Sequence, residues 1–166
     1  EMQRCIHCTR CVRFGQEVGG IMELGMVNRG EHSEITSFVG RAVESELSGN
    51  MIDICPVGAL TSKPFRYTAR TWELARRRSV SPHDSVGANL VVQVKGDRVM
   101  RVVPFENEDI NECWISDRDR YAYTGLYTED RLAHPMIRTA DGQWREASWS
   151  DALQAVVKGL NQVRDQ

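Results

Sequence analysis

Cys5-Ile6-His7-Cys8-Thr9-Arg10-Cys11 sets three thiols at two-residue intervals, and a fourth arrives in Cys55-Pro56-Val57-Gly58-Ala59-Leu60. Cysteines at this repeat, closed by a Cys-Pro, form the ligand run of an iron-sulfur cluster. The spacing has a geometric reason. A cubane takes its ligands at several corners, and a tight loop with two residues between cysteines turns three sulfurs toward one centre. The last corner is left for a cysteine brought in by the fold. In bacterial ferredoxins with two clusters the Cys-Pro cysteine ligates the other cluster. This chain has a single Cys-x2-Cys-x2-Cys run, so Cys55 has no second cluster to serve, and Cys5, Cys8, Cys11 and Cys55 are expected to hold one [4Fe-4S] cluster.

Two alternatives draw on the same thiols. Structural zinc also takes four cysteines, but usually as two separated pairs, and here a triplet is matched with one distant cysteine. Disulfides fit worse: five cysteines is an odd count, no signal-peptide pattern is visible, and three thiols within seven residues pair poorly. The chain reads as reduced and cytosolic. Four thiols complete the site, which makes His7 a loop residue. Cys113 lies far from every other cysteine in sequence and reads as a free packing thiol.

Composition excludes more than it selects. The chain has 166 residues, enough for one medium domain or two small ones, and its apolar and charged shares are ordinary for a soluble globular protein. No apolar run approaches the roughly 18 residues needed to cross a bilayer, so no direct membrane insertion is expected. A formal charge of −2, from 21 basic and 23 acidic side chains, gives no general attraction to nucleic acid. Arg76-Arg77-Arg78 is the one basic cluster, and it reads as a solvated linker face. With Glu1 in place of an initiator methionine, the chain is expected to be a piece of a longer polypeptide.

Two units are expected, joined near Arg76 to Pro82 and covering 1–76 and 77–166. In the first, a short helix over Val12 to Val18 follows the ligand loop and ends at Gly19-Gly20. Loose alternation over Met22 to Asn28 and Glu34 to Val39 predicts a hairpin. A second short helix is expected at Ala42 to Leu47, before the chain returns to Cys55. In the second unit, Asn89 to Val94 and Arg98 to Val103 flank Lys95-Gly96-Asp97, a tight antiparallel hairpin with Gly96 at positive φ. Ser116 or Asp117 is placed to cap a helix through Tyr123. Ser150 is placed to cap another over Asp151 to Val163, in which Ala152, Leu153, Val156, Val157, Leu160 and Val163 recur at helical spacing and read as core.

Three stretches carry a family resemblance: Met2-Gln-Arg-Cys-Ile-His-Cys-Thr-Arg-Cys-Val-Arg-Phe14, Ser45-Glu-Leu-Ser-Gly-Asn-Met-Ile-Asp-Ile-Cys-Pro-Val-Gly-Ala-Leu-Thr-Ser-Lys-Pro-Phe65 and Asp109-Ile-Asn-Glu-Cys-Trp-Ile-Ser-Asp117. Over essentially its whole length the chain resembles the large iron-sulfur subunit of the proton-pumping NADH:quinone oxidoreductase, respiratory complex I, called the G subunit in bacteria and the 75-kDa subunit in mitochondria. The resemblance implies an α+β fold. A small ferredoxin-like [4Fe-4S] domain would be followed by a β-rich domain resembling the N-terminal domain of molybdopterin oxidoreductases. It also implies that Cys5, Cys8, Cys11 and Cys55 hold one cluster of the electron wire between flavin and quinone. Other peripheral-arm subunits are the implied partners, on the cytoplasmic side of a bacterial inner membrane or the mitochondrial matrix side. The family's earlier part, with a [2Fe-2S] and a second [4Fe-4S] centre, is expected to be absent here, as is most of the large domain that follows. In an isolated piece the cluster could be lost or replaced.

In molybdenum enzymes such as formate dehydrogenase, and in some relatives within this family, the β-rich domain carries its own four-cysteine cluster. The corresponding positions here are Ser81, Asp84, Ala88 and Ser116. Serine must be deprotonated to ligate, alanine has no donor, and one carboxylate cannot hold a cluster that prefers soft sulfur. The expectation is a fold retained with its cluster lost. If the segment is instead a plain turn, the same absence of metal follows. A formate dehydrogenase or an NAD-reducing hydrogenase would share the first cysteine run, but the missing second set counts against formate dehydrogenase.

The function expected is therefore electron relay. No side chain is placed for acid-base or nucleophilic chemistry, and Gly19-Gly20 lacks the rest of a dinucleotide fingerprint. Arg4, Arg10 and Arg13 near the ligand loop are expected to favour the reduced, more negative cluster.

Overall fold

A computed structural model describes residues 1–164. Glu1–Thr124 forms one unit, and a second begins at Gly125. The ligand loop runs directly into helix α1 (Arg10–Glu17), so Cys11 lies in the first turn of the helix, two residues earlier than the sequence pattern suggested. Phe14 and Gly15 are its buried positions. Strands β1 (Leu24–Val27) and β2 (Glu34–Ser37) then pair antiparallel, from Leu24↔Ser37 to Val27↔Glu34, as the alternation predicted.

The helix expected at Ala42 to Leu47 does not form. Its place is taken by an extended stretch and a turn, and the helix appears later as α2 (Asn50–Ile54), immediately before Cys55. Instead the Glu23 carboxylate accepts the amides of Glu44 at 2.7 Å and Ser45 at 3.2 Å, tying the extended stretch to the residue before β1.

A three-stranded antiparallel sheet follows, in the order β3 (Ala75–Val80), β4 (Asn89–Lys95), β5 (Arg98–Pro104). The β4–β5 hairpin turns at Gly96, whose φ of 63° is the left-handed value that glycine adopts without strain. Strand β3 corrects the linker expectation. Arg76, Arg77 and Arg78 are solvent-facing, but they pair with Gln93, Val92 and Val91 as an edge strand, and charge along an edge discourages pairing with other chains. Under the sheet, Ala88, Leu90, Val102 and Ile115 form a buried cluster, with Val92, Val99 and Tyr123 packed against it. Helix α3 (Asp117–Tyr121) lies beside β5 and is capped by Ser116, whose hydroxyl accepts the Asp119 amide at 3.1 Å. Phe14 of α1 meets Trp114, ring centroids 4.9 Å apart, tying the ligand-bearing helix to the segment that enters α3.

The second unit contains an unforeseen hairpin, β6 (Met136–Arg138) with β7 (Trp144–Glu146), and helix α4 (Trp149–Arg164). The α4 cap is Ser148 and not Ser150: its hydroxyl accepts the Asp151 amide at 3.1 Å. The stripe of Leu153, Val156, Val157, Leu160 and Val163, read as core, is exposed. Strand β6 packs on α4, but three residues cannot cover a helix of sixteen. No helix among the described residues is long and apolar enough to cross a membrane.

Candidate metal centre

Cys5, Cys8, Cys11 and Cys55 line one recessed pocket, although 44 positions of chain separate the last two. Its walls are largely apolar, with Ile6, Ile35, Val57, Ala59 and Leu60 contributing, and Arg10 is the charged residue among them. His7 and Thr9 hold positive φ, 54° and 59°. Such a backbone is uncommon for residues with a Cβ, and it coils the seven-residue loop so that its three sulfurs turn inward. Among the described residues no three His, Cys, Asp or Glu side chains meet at distances suited to a single ion. The four sulfurs stand around the cavity wall.

Backbone amides surround these sulfurs. The His7 amide donates to Cys5 Sγ at 3.4 Å. Burial works to raise the Cys55 thiol, but the amides of Leu60, Val57, Ala59 and Gly58 act together in the opposite sense, and the net shift is downward. For Cys11 burial dominates over its amide donors and the thiol is pushed up, with Cys5 and Cys8 close enough to add to the rise. Four soft donors, an apolar wall and convergent N–H groups suit a polynuclear iron-sulfur group, whose thiolate ligands accept hydrogen bonds at sulfur. Arg4 sits near the Cys55 turn, 3.9 Å from where a Gly58 Cβ would lie. Arg13 lines a neighbouring cleft with Phe14 and Trp114 and is not among the residues of the cysteine cavity. Cys113 corrects its expectation: the thiol is free, but the residue is exposed and forms no part of the core. Burial, followed by Glu112 and Glu106 beside it, raises its pKa.

Helix α2, which delivers Cys55, is fastened from below by residues more than 60 positions away. Asn50 is fully buried, and its carboxamide donates to Leu47 O and Ile115 O at 2.9 and 2.8 Å and accepts from the Ile115 amide at 3.1 Å. Arg120 Nη2 donates to Asn50 Oδ1 at 3.1 Å and to Asp53 Oδ2 at 2.6 Å. The Asp117 carboxylate accepts from the Gly49 amide at 2.7 Å and the Ser48 hydroxyl at 2.6 Å. None of these residues stood out in sequence as a site residue.

The positions of the second cluster expected to be lost, Ser81, Asp84, Ala88 and Ser116, are joined by hydrogen bonds. Ser81 donates to one oxygen of the buried Asp119 carboxylate at 2.6 Å and Ser116 to the other at 3.0 Å. The Ser81 hydroxyl also accepts from the His83 and Asp84 amides. Asp84 holds the Gly87 and Ala88 amides, and Ala88 is part of the hydrophobic cluster. Asp119 was missed, yet Ser116-x-x-Asp119 is a capping-box pattern that could have found it.

Three family models match the chain in succession. Residues 1–61 match "NADH-quinone oxidoreductase subunit 3, ferredoxin-like domain", residues 74–124 match "NADH-ubiquinone oxidoreductase NDSU1/NuoG-like, 4Fe-4S domain", and residues 131–166 match "Molybdopterin oxidoreductase". Among curated proteins, the mitochondrial NADH dehydrogenase [ubiquinone] iron-sulfur protein 1 of Solanum tuberosum is 55% identical over 98% of this chain and 22% of its own length. The NADH-quinone oxidoreductase G subunit of Rickettsia typhi is 50% identical over 98% of the chain and 24% of its own. The NADH-ubiquinone oxidoreductase 75 kDa subunit of Reclinomonas americana is 48% identical over 99% of the chain and 23% of its own. The chain thus spans less than a quarter of the length of these relatives.

Proposed function

This chain belongs to the family of the large iron-sulfur subunits of NADH dehydrogenases, the G or 75 kDa subunits, and from that premise we propose that it is an electron-relay segment. It carries single electrons from the NADH side toward quinone through one [4Fe-4S] cluster held by Cys5, Cys8, Cys11 and Cys55. The observation that carries the proposal is the meeting of these four thiols at one apolar cavity. When bound, the cluster supplies a site that takes up and gives back one electron.

The chain's own residues do the rest. Buried Ile35 and Ala59, with half-buried Val57 and Leu60, shield one side of the pocket from water, and the amides of residues 57–60 stabilise negative charge on the Cys55 sulfur. Arg10, on the cavity wall, favours the reduced form through its positive charge. Residues 1–76 act as the cluster-binding part and 77–166 as a metal-free successor of a cluster-bearing domain, in which the Ser81–Asp119–Ser116 bonds take the place of a second centre. The partners are further peripheral-arm subunits of the oxidoreductase, and the site of action is its arm outside the bilayer. The zinc-module, formate dehydrogenase and hydrogenase readings have nothing comparable behind them, since the relatives named above are all NADH dehydrogenase or oxidoreductase subunits.

Anaerobic dithionite reduction followed by electron paramagnetic resonance tests the proposal. A signal from a one-electron-reduced cluster, absent in Cys55→Ser, is the expected result. A protein silent under all reducing conditions contradicts it.

A further inference from the structure

We propose that Arg120 is a positioning residue for the Cys55 ligand: from helix α3 its guanidinium locks helix α2, and so holds the Cys55 sulfur at the cavity. Cys55 is the one ligand that does not belong to the tight loop. It stands at the end of a five-residue helix, too short to hold itself in place. Buried Met51 packs it toward Gly15 of α1, and the polar fastening comes from residues 115–120. One Nη2 of Arg120 reaches both Asn50 at the start of α2 and Asp53 two residues before the ligand, so a single group spans the helix from end to end.

The arrangement is poorly explained as a device for stability. Arg120 is 4% exposed, and its Nε–H is buried with no hydrogen-bond partner among the described residues. A buried ion pair with an unsatisfied donor is weak support for a fold, because desolvation offsets the attraction. The surroundings nevertheless make room for it: a Cβ on Gly49 would lie 2.5 Å from Arg120 Cδ and 2.6 Å from its Nε. Helix α3 is itself anchored by Asp119, whose carboxylate is gripped by Ser81 and Ser116. The residue after this anchor is Arg120. The former cluster positions therefore brace the arm that reaches under the remaining cluster.

This assignment rests on the cluster proposed above, and its test separates the two. The chain is reconstituted anaerobically with iron and sulfide, as wild type and as Arg120→Gln, Arg120→Lys, Asp53→Asn and Leu90→Ala. Asp53 is the more exposed partner, and Asp53→Asn keeps the side chain's shape and an acceptor oxygen for Arg120, so it gives a second, near-isosteric variant if Arg120→Gln fails to fold. Leu90→Ala removes a core side chain of the sheet, packed in one cluster with Ile115 but outside the Asn50–Arg120–Asp53 bonds, and serves as the control for general destabilisation. The readouts are the rate of cluster bleaching in air and the resonance spectrum of the reduced cluster. Arg120→Gln and Asp53→Asn should bleach faster by about tenfold or more, the range that partners behind metal ligands command, with altered line shape. Arg120→Lys should recover part of the difference, and Leu90→Ala should match wild type. Bleaching and spectra unchanged in both Arg120→Gln and Asp53→Asn, or reproduced by Leu90→Ala, overturn the assignment. A wild-type chain that takes up no iron and sulfide overturns the cluster itself, and the positioning role with it.

Discussion

The side chain of Asn50 pairs with the backbone of Ile115 as one strand pairs with another, donating to its carbonyl at 2.8 Å and accepting from its amide at 3.1 Å. Both residues are buried, at 0% and 2% exposure, so water cannot replace either bond. Asn50→Ala strands the Ile115 amide and carbonyl together. Each buried group left unmade costs about 1–3 kcal/mol, and the variant should lose about 3 kcal/mol of unfolding free energy in a denaturant titration. Asn50→Asp keeps the acceptor but turns a buried carboxylate oxygen toward the Leu47 and Ile115 carbonyls, and should lose at least as much.

Gly49 is held by close approach. An alanine there places its Cβ 2.5 Å from both Arg120 Cδ and Asp117 Oδ1. Asp117 is already committed to Gly49 and Ser48, so relief requires movement of α2 against α3. Gly49→Ala should destabilise by about 1–3 kcal/mol, the usual penalty of overpacking, and thermal melting with and without iron reports it.

Asp119 accepts two hydroxyls, one on each oxygen. A carboxamide in its place would offer one acceptor and one donor, and Ser81 is hindered from turning because its oxygen already accepts two amides. Asp119→Asn should therefore lower stability by about 1–3 kcal/mol in a denaturant titration.

Much of this fold is legible from local pattern. The alternation around Gly96 and the Ser116 cap each act within a few residues, and both appear where the sequence put them. The failures have one physical source, which is side chains acting at long range. Ala42 to Leu47 has helical character yet runs extended and into a turn, with Glu44 and Ser45 tied to Glu23, 21 and 22 residues upstream. Arg76-Arg77-Arg78 looks like a solvated linker because its pairing partner, β4, buries none of its side chains. Arg120 and Asn50 carry no local mark, since their partners lie 65 to 70 residues away. The apolar stripe of α4 is legible as a pattern, but a pattern does not say what covers it.

Arg10 lines the cysteine cavity and Arg13 only the adjacent cleft. Removing a positive charge disfavours the extra electron, and the attraction at intermediate dielectric corresponds to tens of millivolts. Arg10→Gln should shift the midpoint potential to more negative values in a redox titration, by more than Arg13→Gln does. Equal or positive shifts would remove the electrostatic role of Arg10.

Whether four particular thiols hold one iron-sulfur cluster is tested most directly by iron, sulfide and zinc analysis of the anaerobically prepared protein. About four irons and four sulfides per chain are expected, lost in Cys5→Ser, Cys8→Ser, Cys11→Ser and Cys55→Ser and kept in Cys113→Ser. Stoichiometric zinc without sulfide, or full iron retained in Cys55→Ser, would contradict it.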